Sequence, residues 1–553
     1  MIRRVVLTGL SGTGKSTLAR LIADDLGWMS RDTDAEIERR TGSTIPELFR
    51  DRGEAVFRTR ERTVLLDALA QSQIVIATGG GTVVEDDVWS DDLLGHSETL
   101  VVWLDGDSAI LLDRLAEQAQ AVGATAARPL LSEGDPLQRL EAMRALRSGA
   151  YARADVTLLV DHDDPSAIAG DISELVRLDH GTPSRIQLET PGASSTIMVG
   201  SAAVDTLPGV IETQWPRARR IWIGVDENVL PHIEADVTEV ARMVAPEVRI
   251  TTVPAGESSK SLEGLGRLLD WMLHGGIERG DAAVAFGGGV VGDLVGFAAA
   301  TVLRGVGLVQ VPTTLLAMVD SSVGGKTGIN HPAGKNLIGA FYQPRHVVID
   351  PALLGSLPSR VYTSGWAEII KHAVIESSIP GGRPGHLIGI LERNSAALAT
   401  HGSVLLPLVI RKNVTLKAAV VTADERESGL RAFLNFGHTI GHGVESSTTN
   451  LLHGEAVAAG MCAAMRIACE LGEIDRATES RVRDLIAAFG LPVTVSFDPA
   501  AVRQKMRSDK KKAAGVQQWV LPVREGGVAV RTDVSEAIIE RALGAIVRPR
   551  SGK

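Results

Sequence analysis

A chain of 553 residues is longer than one hydrophobic core usually organises, so two or more domains are expected. Hydrophobic residues at 44% and charged residues at 22% are globular proportions, and aromatics at only 4% leave the cores to Ala, Val, Leu and Ile. The formal net charge of -10 excludes a general nucleic-acid binder, which needs a clustered basic surface.

The opening "MIRRVVLTGL" carries two arginines and a short apolar run, like a secretory leader. It lacks a cleavage pattern and runs straight into "GLSGTGKS", so a first buried strand is expected instead. Residues 9–16 fit the phosphate-loop pattern G-x-x-x-x-G-K-[ST], placed between that strand and the helical "STLARLIADDLG". Backbone N–H groups of Gly12, Thr13, Gly14, Lys15, Ser16 and Thr17 would wrap nucleotide phosphates at the helix start. Lys15 would reach the transferred phosphoryl group and Ser16 would ligate magnesium.

Short β-branched runs then alternate with amphipathic stretches, which predicts one parallel α/β domain over 1–175. Residues 176–187, "VRLDHGTPSRIQ", lack periodicity and are expected as a linker. Within 1–175 stand Asp32 and Asp34 in "RDTD", Arg58 in "GEAVFRTRE", the bare backbone of "TGGG", Arg128 in "ARPLL" and Arg147 in "RSGAY". Each alone is usually a solvated charge or a turn; together, in this order, they resemble shikimate kinase. The resemblance implies ATP with Mg2+ as cofactor and 3-phosphorylation of shikimate. It places Asp32 near the magnesium, and Asp34 on the acceptor hydroxyls as base. Arg58 and Arg147 would clamp the shikimate carboxylate with forked donors, beside the backbone of Gly80 and Gly81. Arg128 would close over the nucleotide from a lid.

Strand signals resume over 188–355 ("STIMVG", "RIWIGVD", "VRITTVP", "DAAVAFGGG", "GLVQVPTT", "HVVID"), and 356–553 is mostly helical. Gly287-x-Gly289-x-x-Gly292 reads as a dinucleotide turn, although the acidic residue expected about twenty positions on is replaced by the neighbourhood of Pro312. The apolar run around it is interrupted by Asp293 and Arg304 and is no membrane span. Cys462 and Cys469 sit seven apart in a helical Ala-rich pattern, as small core residues of a reducing compartment. A cytosolic protein without membrane or nucleic-acid partners is expected.

Arg304, Asp320, Lys326, Lys335 and Asn336 stand in glycine-rich surroundings almost without other charges, which points to an anion pocket. With "AEIIK", "KAAVVTADERESGLRAFLNFGHTIGH", "LHGE" and "SDKK", the chain from about residue 190 onward resembles 3-dehydroquinate synthase. The fold class implied is α/β throughout: a phosphate-loop kinase domain on a parallel sheet, then an NAD-binding α/β half (188–355) and a mainly α-helical half holding metal and substrate (356–553). NAD+ would be held by Asp226, Asn228, Glu257, Lys260, the turn Gly288, Gly289, Val290, Val291, Gly292 and Asp293, and by Thr313, Thr314 and Lys335. The substrate, 3-deoxy-D-arabino-heptulosonate 7-phosphate, would meet Arg304, Asp320, Lys326, Asn336, Lys371, Lys417, Arg431, Asn435, His442 and Lys510, with Glu427 as a proton acceptor. The implied chemistry is transient oxidation of the C5 hydroxyl, loss of phosphate, return of the hydride and an intramolecular aldol closure. The resemblance also allows a homodimer through the synthase unit. Three positions depart from the family pattern: Val361 stands where Glu is usual, His372 where Tyr is common, and Ala255 where Asp or Pro is frequent.

Three histidines remain. Spacing alone favours His438 and His442, an i, i+4 pair on one helical face, as metal ligands. The resemblance instead selects Glu368, His438 and His453 for one divalent ion, Zn2+ or Co2+, and turns His442 to the substrate. Two alternatives to this bifunctional reading are a kinase joined to a glycerol-dehydrogenase-like metal oxidoreductase and a kinase joined to an inactive metabolite-binding module.

Overall fold

The computed structural model describes residues 1–548 except 123–134, 162, 244–246, 428 and 513–516. Arg128 lies outside the described residues, and of Lys510 only the backbone, in the helix Pro499–Lys512, is described. The chain divides into two compact units, Met1–His180 with Glu392–Ala397, and Gly181–Leu391 with Leu398–Lys553.

The first unit is built on β1 (Arg4–Thr8), β2 (Met29–Asp32), β3 (Ile74–Ala77), β4 (Thr99–Asp105) and β5 (Val156–Leu159). They form one parallel sheet in the order β2-β3-β1-β4-β5. All four residues of β3 are buried, as are Val5, Val6 and Leu7 of β1, which is why these strands read as unbroken apolar runs rather than alternations. The chain leaves β1 through the phosphate loop into the helix Lys15–Leu26, whose stripe of Leu18, Ala19, Ile22 and Ala23 is buried.

The segment expected as a linker is ordered differently. The helix Pro165–Asp179 buries Val176 and Leu178 and runs through Asp179, and only four residues separate it from β6 (Ser184–Thr190). β6 is an edge strand with a single buried residue, Leu188, so no hydrophobic alternation announces it.

The second unit carries a sheet in the order β6-β7-β14-β11-β10-β8-β9. Its strands after β6 are β7 (Ala193–Val199), β8 (Arg220–Asp226), β9 (Glu247–Val253), β10 (Ala282–Gly287) and β11 (Gly307–Pro312), with β14 (His346–Ile349). All neighbours are parallel except the antiparallel pair β6 and β7. Alternate residues feed two cores: Ile221, Ile223, Val284 and Phe286 on one face, and Trp222, Ala283 and Ala285 on the other. Between β11 and β14 the glycine-rich basic block folds as an antiparallel hairpin, β12 (Lys326–His331) and β13 (Gly334–Phe341). The helical half follows, and it includes one small antiparallel pair that the sequence pattern does not announce, β15 (Trp519–Pro522) with β16 (Val528–Arg531).

Asp281, fully buried just before β10, ties this sheet together. Its Oδ1 accepts from the backbone N–H of Arg219 and of Arg220, both at 3.0 Å, at the start of β8. Its Oδ2 accepts from Trp222 Nε1 at 3.1 Å and Glu278 N at 2.9 Å. Asp281→Ala leaves four donors unpaired, the buried Trp222 indole N–H among them, and a loss of about 3 kcal/mol is expected. The check is a lower urea midpoint for loss of the second unit's activity, with the first unit's activity lost at its usual midpoint.

Candidate active sites

In the first unit, Lys15 Nζ donates to the loop carbonyls of Gly9 at 2.9 Å and Leu10 at 2.7 Å. The Ser16 hydroxyl donates to Asp32, whose other oxygen caps the next helix by accepting from Asp34 N at 3.0 Å and Ala35 N at 3.1 Å. One carboxylate thus joins the phosphate loop to the end of β2. Opposite, the backbone of residues 79–81 is walled by expected site residues: Arg147 donates to the Gly80 carbonyl at 3.0 Å, and Arg58 lies against Gly81.

Two residues of this wall were not singled out from the sequence. Glu61, buried, takes Arg58 Nη1 at 2.7 Å and the Thr82 hydroxyl at 2.6 Å, which aims the guanidinium at the glycine strip. Tyr151, also buried, donates its hydroxyl to the Gly80 carbonyl. Arg58 and Glu61 are spaced i, i+3 on the helix Glu54–Leu69, a signal the sequence did contain.

In the second unit, the residues expected at NAD gather outside the carboxyl ends of adjacent strands, the usual crevice of a parallel sheet. Asp226 closes β8, Gly288 to Asp293 follow β10, and Thr313 and Thr314 follow β11. The Asn228 N–H donates to Asp226 Oδ1 at 2.9 Å, and Glu257 Oε1 accepts from Asn330 at 2.8 Å. Val290 and Val291 fall in the first turn of the helix Gly289–Thr301. Buried Lys260 donates to Asp293 and to Asn336, both at 2.6 Å, so one expected dinucleotide residue is bonded here to another and to an expected substrate residue.

The helix Ser359–Ile375 carries Glu368 and Lys371 into the interior as an ion pair. Glu368 is fully buried, yet neither of its oxygens accepts a well-formed hydrogen bond. Its Oε1 lies 3.4 Å from His438 Nε2 and 3.5 Å from His453 Nε2. His438 opens the helix His438–Ser447 and His453 opens the helix His453–Glu470. Those helices meet over glycine: a Cβ on Gly460 would overlap the Gly437 carbonyl oxygen, and one on Gly454 would overlap that of Ser364. These two contacts explain why Gly454 and Gly460 carry no side chain. His442, the other member of the i, i+4 pair, is exposed, its ring 5.2 Å from that of His438.

Five of the remaining expected residues form two groups. Lys417 is paired with Asp320; against the pull of burial, Lys417 and then Lys371 hold the Asp320 carboxyl below the usual carboxylate range. Burial pushes Lys417 itself down to about 8. Lys326 is paired with Glu427, and buried Arg431 lies 3.8 Å from the same carboxylate while donating to the Gly324 carbonyl at 3.2 Å. Lys335, expected at NAD, donates to Glu445 at 2.7 Å. Arg304 and Asn435 are exposed. Among the described residues, no helix is long and apolar enough to cross a membrane.

A phosphate-loop kinase fold and a sheet-and-helix unit with one carboxylate and two imidazoles converging define a two-enzyme chain. Comparison with known proteins names both parts. The family model "Shikimate kinase" matches residues 11–177, and the models for the N-terminal and C-terminal parts of 3-dehydroquinate synthase match 250–364 and 365–512. The 3-dehydroquinate synthase of Symbiobacterium thermophilum is 44% identical over 360 residues, covering 64% of this chain and 98% of that protein. That of Desulforamulus reducens is 41% identical over 358 residues, covering 64% and 98%. Among solved structures, ValA, the 2-epi-5-epi-valiolone synthase from Streptomyces hygroscopicus subsp. jinggangensis with NAD+ and Zn2+ bound, is 28% identical with a TM-score of 0.58, covering 64% of this chain and 97% of that one. The chain belongs to the 3-dehydroquinate synthase family and carries a shikimate kinase domain ahead of it. It is a bifunctional enzyme of the shikimate pathway, and neither alternative weighed from the sequence is favoured by these matches.

Gly454→Ala is expected to push the helix bearing His453 off Ser364, abolishing dehydroquinate formation while shikimate phosphorylation continues. Parallel assays of the two activities on one preparation check it. A second expectation concerns His372, fully buried with neither ring nitrogen bonded. Burial, and then Lys371, push it down to about 3. Unfolded histidine titrates near 6.5, so between there and about 3 the unfolded chain binds the extra proton and stability falls as pH falls, by about 1.4 kcal/mol per unit. From pH 7 to pH 5 the parent should therefore lose about 2 kcal/mol more than His372→Gln. Equal losses in urea titrations at the two pH values contradict this.

Proposed function

We propose that the residues gathered in these two sites carry the two reactions in the following roles. In the kinase, Lys15, Ser16 and the loop amides of Gly12 to Thr17 hold ATP, Ser16 and Asp32 hold its magnesium, and Asp34 takes the proton of the shikimate hydroxyl. Arg58, aimed by Glu61, and Arg147, beside Gly80, bind the shikimate carboxylate.

In the synthase, Glu368, His438 and His453 hold one divalent ion, zinc or cobalt. One observation carries this assignment: a fully buried carboxylate with no well-formed hydrogen bond, facing two imidazole nitrogens. Such a set suits a catalytic zinc, whose three protein ligands leave room for substrate oxygens. When bound, NAD+ stores and returns the hydride, and the metal polarises the substrate's hydroxyls. Asp226, Gly288 to Asp293, Thr313 and Thr314 line the dinucleotide crevice. Lys326, Lys417 and Arg431 neutralise the phosphate and carboxylate of the substrate, Asp320 holds Lys417 in place, and Glu427 receives a proton. His442, exposed at the rim of the cluster, faces the substrate rather than the metal. Cytoplasmic residence agrees with the unpaired Cys462 and Cys469.

The direct test is phosphate release from 3-deoxy-D-arabino-heptulosonate 7-phosphate, dependent on added zinc and NAD+, beside ATP-dependent phosphorylation of shikimate. Lys15→Ala should abolish the second and spare the first; loss of both in a folded variant refutes separate sites. His438→Ala and His453→Ala should come free of metal, whereas His442→Ala keeps its metal and turns over at least about a hundredfold more slowly. A metal-free His442→Ala beside a metal-loaded His453→Ala would reverse the assignment.

A further inference from the structure

Glu445 is not among the residues assigned a role in either reaction, yet it touches a proposed metal ligand. It sits on the helix His438–Ser447 at i+7 from His438 and i+3 from His442, on the face those histidines share. Its Oε2 lies 3.1 Å from His453 Nδ1, and its Oε1 accepts from Lys335 Nζ at 2.7 Å. Both oxygens are therefore engaged, and Lys335 on β13 keeps the carboxylate from rotating away.

The imidazole of His453 is bracketed by two carboxylates: Glu445 at Nδ1, and Glu368 at 3.5 Å from Nε2. An ionised carboxylate only accepts, so the bond to Glu445 keeps a proton on Nδ1 and makes Nε2, on the Glu368 side, the nitrogen that would be offered to a cation. His438 is fixed in the same sense, its Nδ1 lying 3.1 Å from the Phe436 carbonyl oxygen. The two ligands differ in the charge of what holds them. A neutral carbonyl orients His438, whereas an anion orients His453 and makes its imidazole a stronger donor to a cation.

We infer that Glu445 is the positioning residue of the synthase metal site, setting the tautomer and donor strength of His453 through a carboxylate-to-histidine bond that Lys335 anchors. The inference rests on the proposed ligand set. It also assigns the second cluster of possible ligands, His442, Glu445 and His453, to orientation rather than to a second ion.

The test is the zinc dissociation constant of the full chain, read by competition with a chromophoric chelator and so independent of turnover. Glu445→Gln keeps the shape and an acceptor oxygen but removes the charge; Glu445→Ala removes the acceptor as well. Each should bind one zinc per chain with about 10- to 100-fold weaker affinity, Glu445→Ala the weaker of the two, and His453→Ala should bind none. Parent affinity in both Glu445 variants beside a zinc-free His453→Ala overturns the inference and leaves the ligand set standing. A Glu445→Ala as empty as His453→Ala makes Glu445 a ligand and likewise overturns it. Parent affinity in His453→Ala removes the ligand set itself and the inference with it.

Discussion

A carboxylate without water around it has to be neutralised by whatever the fold sets beside it, and Glu368 is such a group. Lys371 supplies one positive charge from the same helix, and two imidazoles close the other side. Removing a charge like this from water costs several kcal/mol even after relaxation, so the surrounding helices must hold the groups that offset it in good geometry. Much of the second unit's helical half serves that demand. Gly454 and Gly460 let three helices approach to backbone distance, and the histidines open two of those helices rather than riding on flexible loops. The same two imidazoles that help make a buried Glu368 tolerable suit it to the proposed role of metal ligand.

The second unit therefore divides its labour by element type. The parallel sheet presents strand ends and a glycine turn, suited to a dinucleotide, while the helices present fixed side chains, suited to a metal. The hairpin of β12 and β13 lies between these tasks. It offers Lys326 to Glu427, Lys335 to Glu445 and Asn336 to Lys260, three polar links from one short ribbon. Lys417, pushed down to about 8 by burial beside Asp320, is an amine whose charge can change near neutral pH.

What the sequence disclosed follows the range of the interactions concerned. The phosphate loop was legible because strand, glycines, lysine and helix are contiguous, and β1 and the helix Lys15–Leu26 lie on either side as expected. The buried strands β3, β8, β10 and β11 announced themselves as apolar runs, whereas edge strand β6 and the polar hairpin carried no such pattern. Helical periodicity paired His438 with His442, since it sees only neighbours along one helix. The cluster with Glu368 needs a contact across 70 residues, which periodicity cannot supply and which entered only through family resemblance. Glu445 escaped notice for the same reason: its partners His453 and Lys335 lie on other elements.

The central claim is that one carboxylate oxygen and two imidazole nitrogens hold the synthase metal, with further positions left to substrate. X-ray absorption at the zinc edge of the loaded enzyme reads that shell directly. Such a shell predicts scattering from two imidazole rings with nitrogen at about 2.0 Å, together with oxygen at about 2.0–2.2 Å, and an oxygen contribution that changes when substrate is added. Scattering from three imidazole rings, or a spectrum indifferent to substrate, would contradict it.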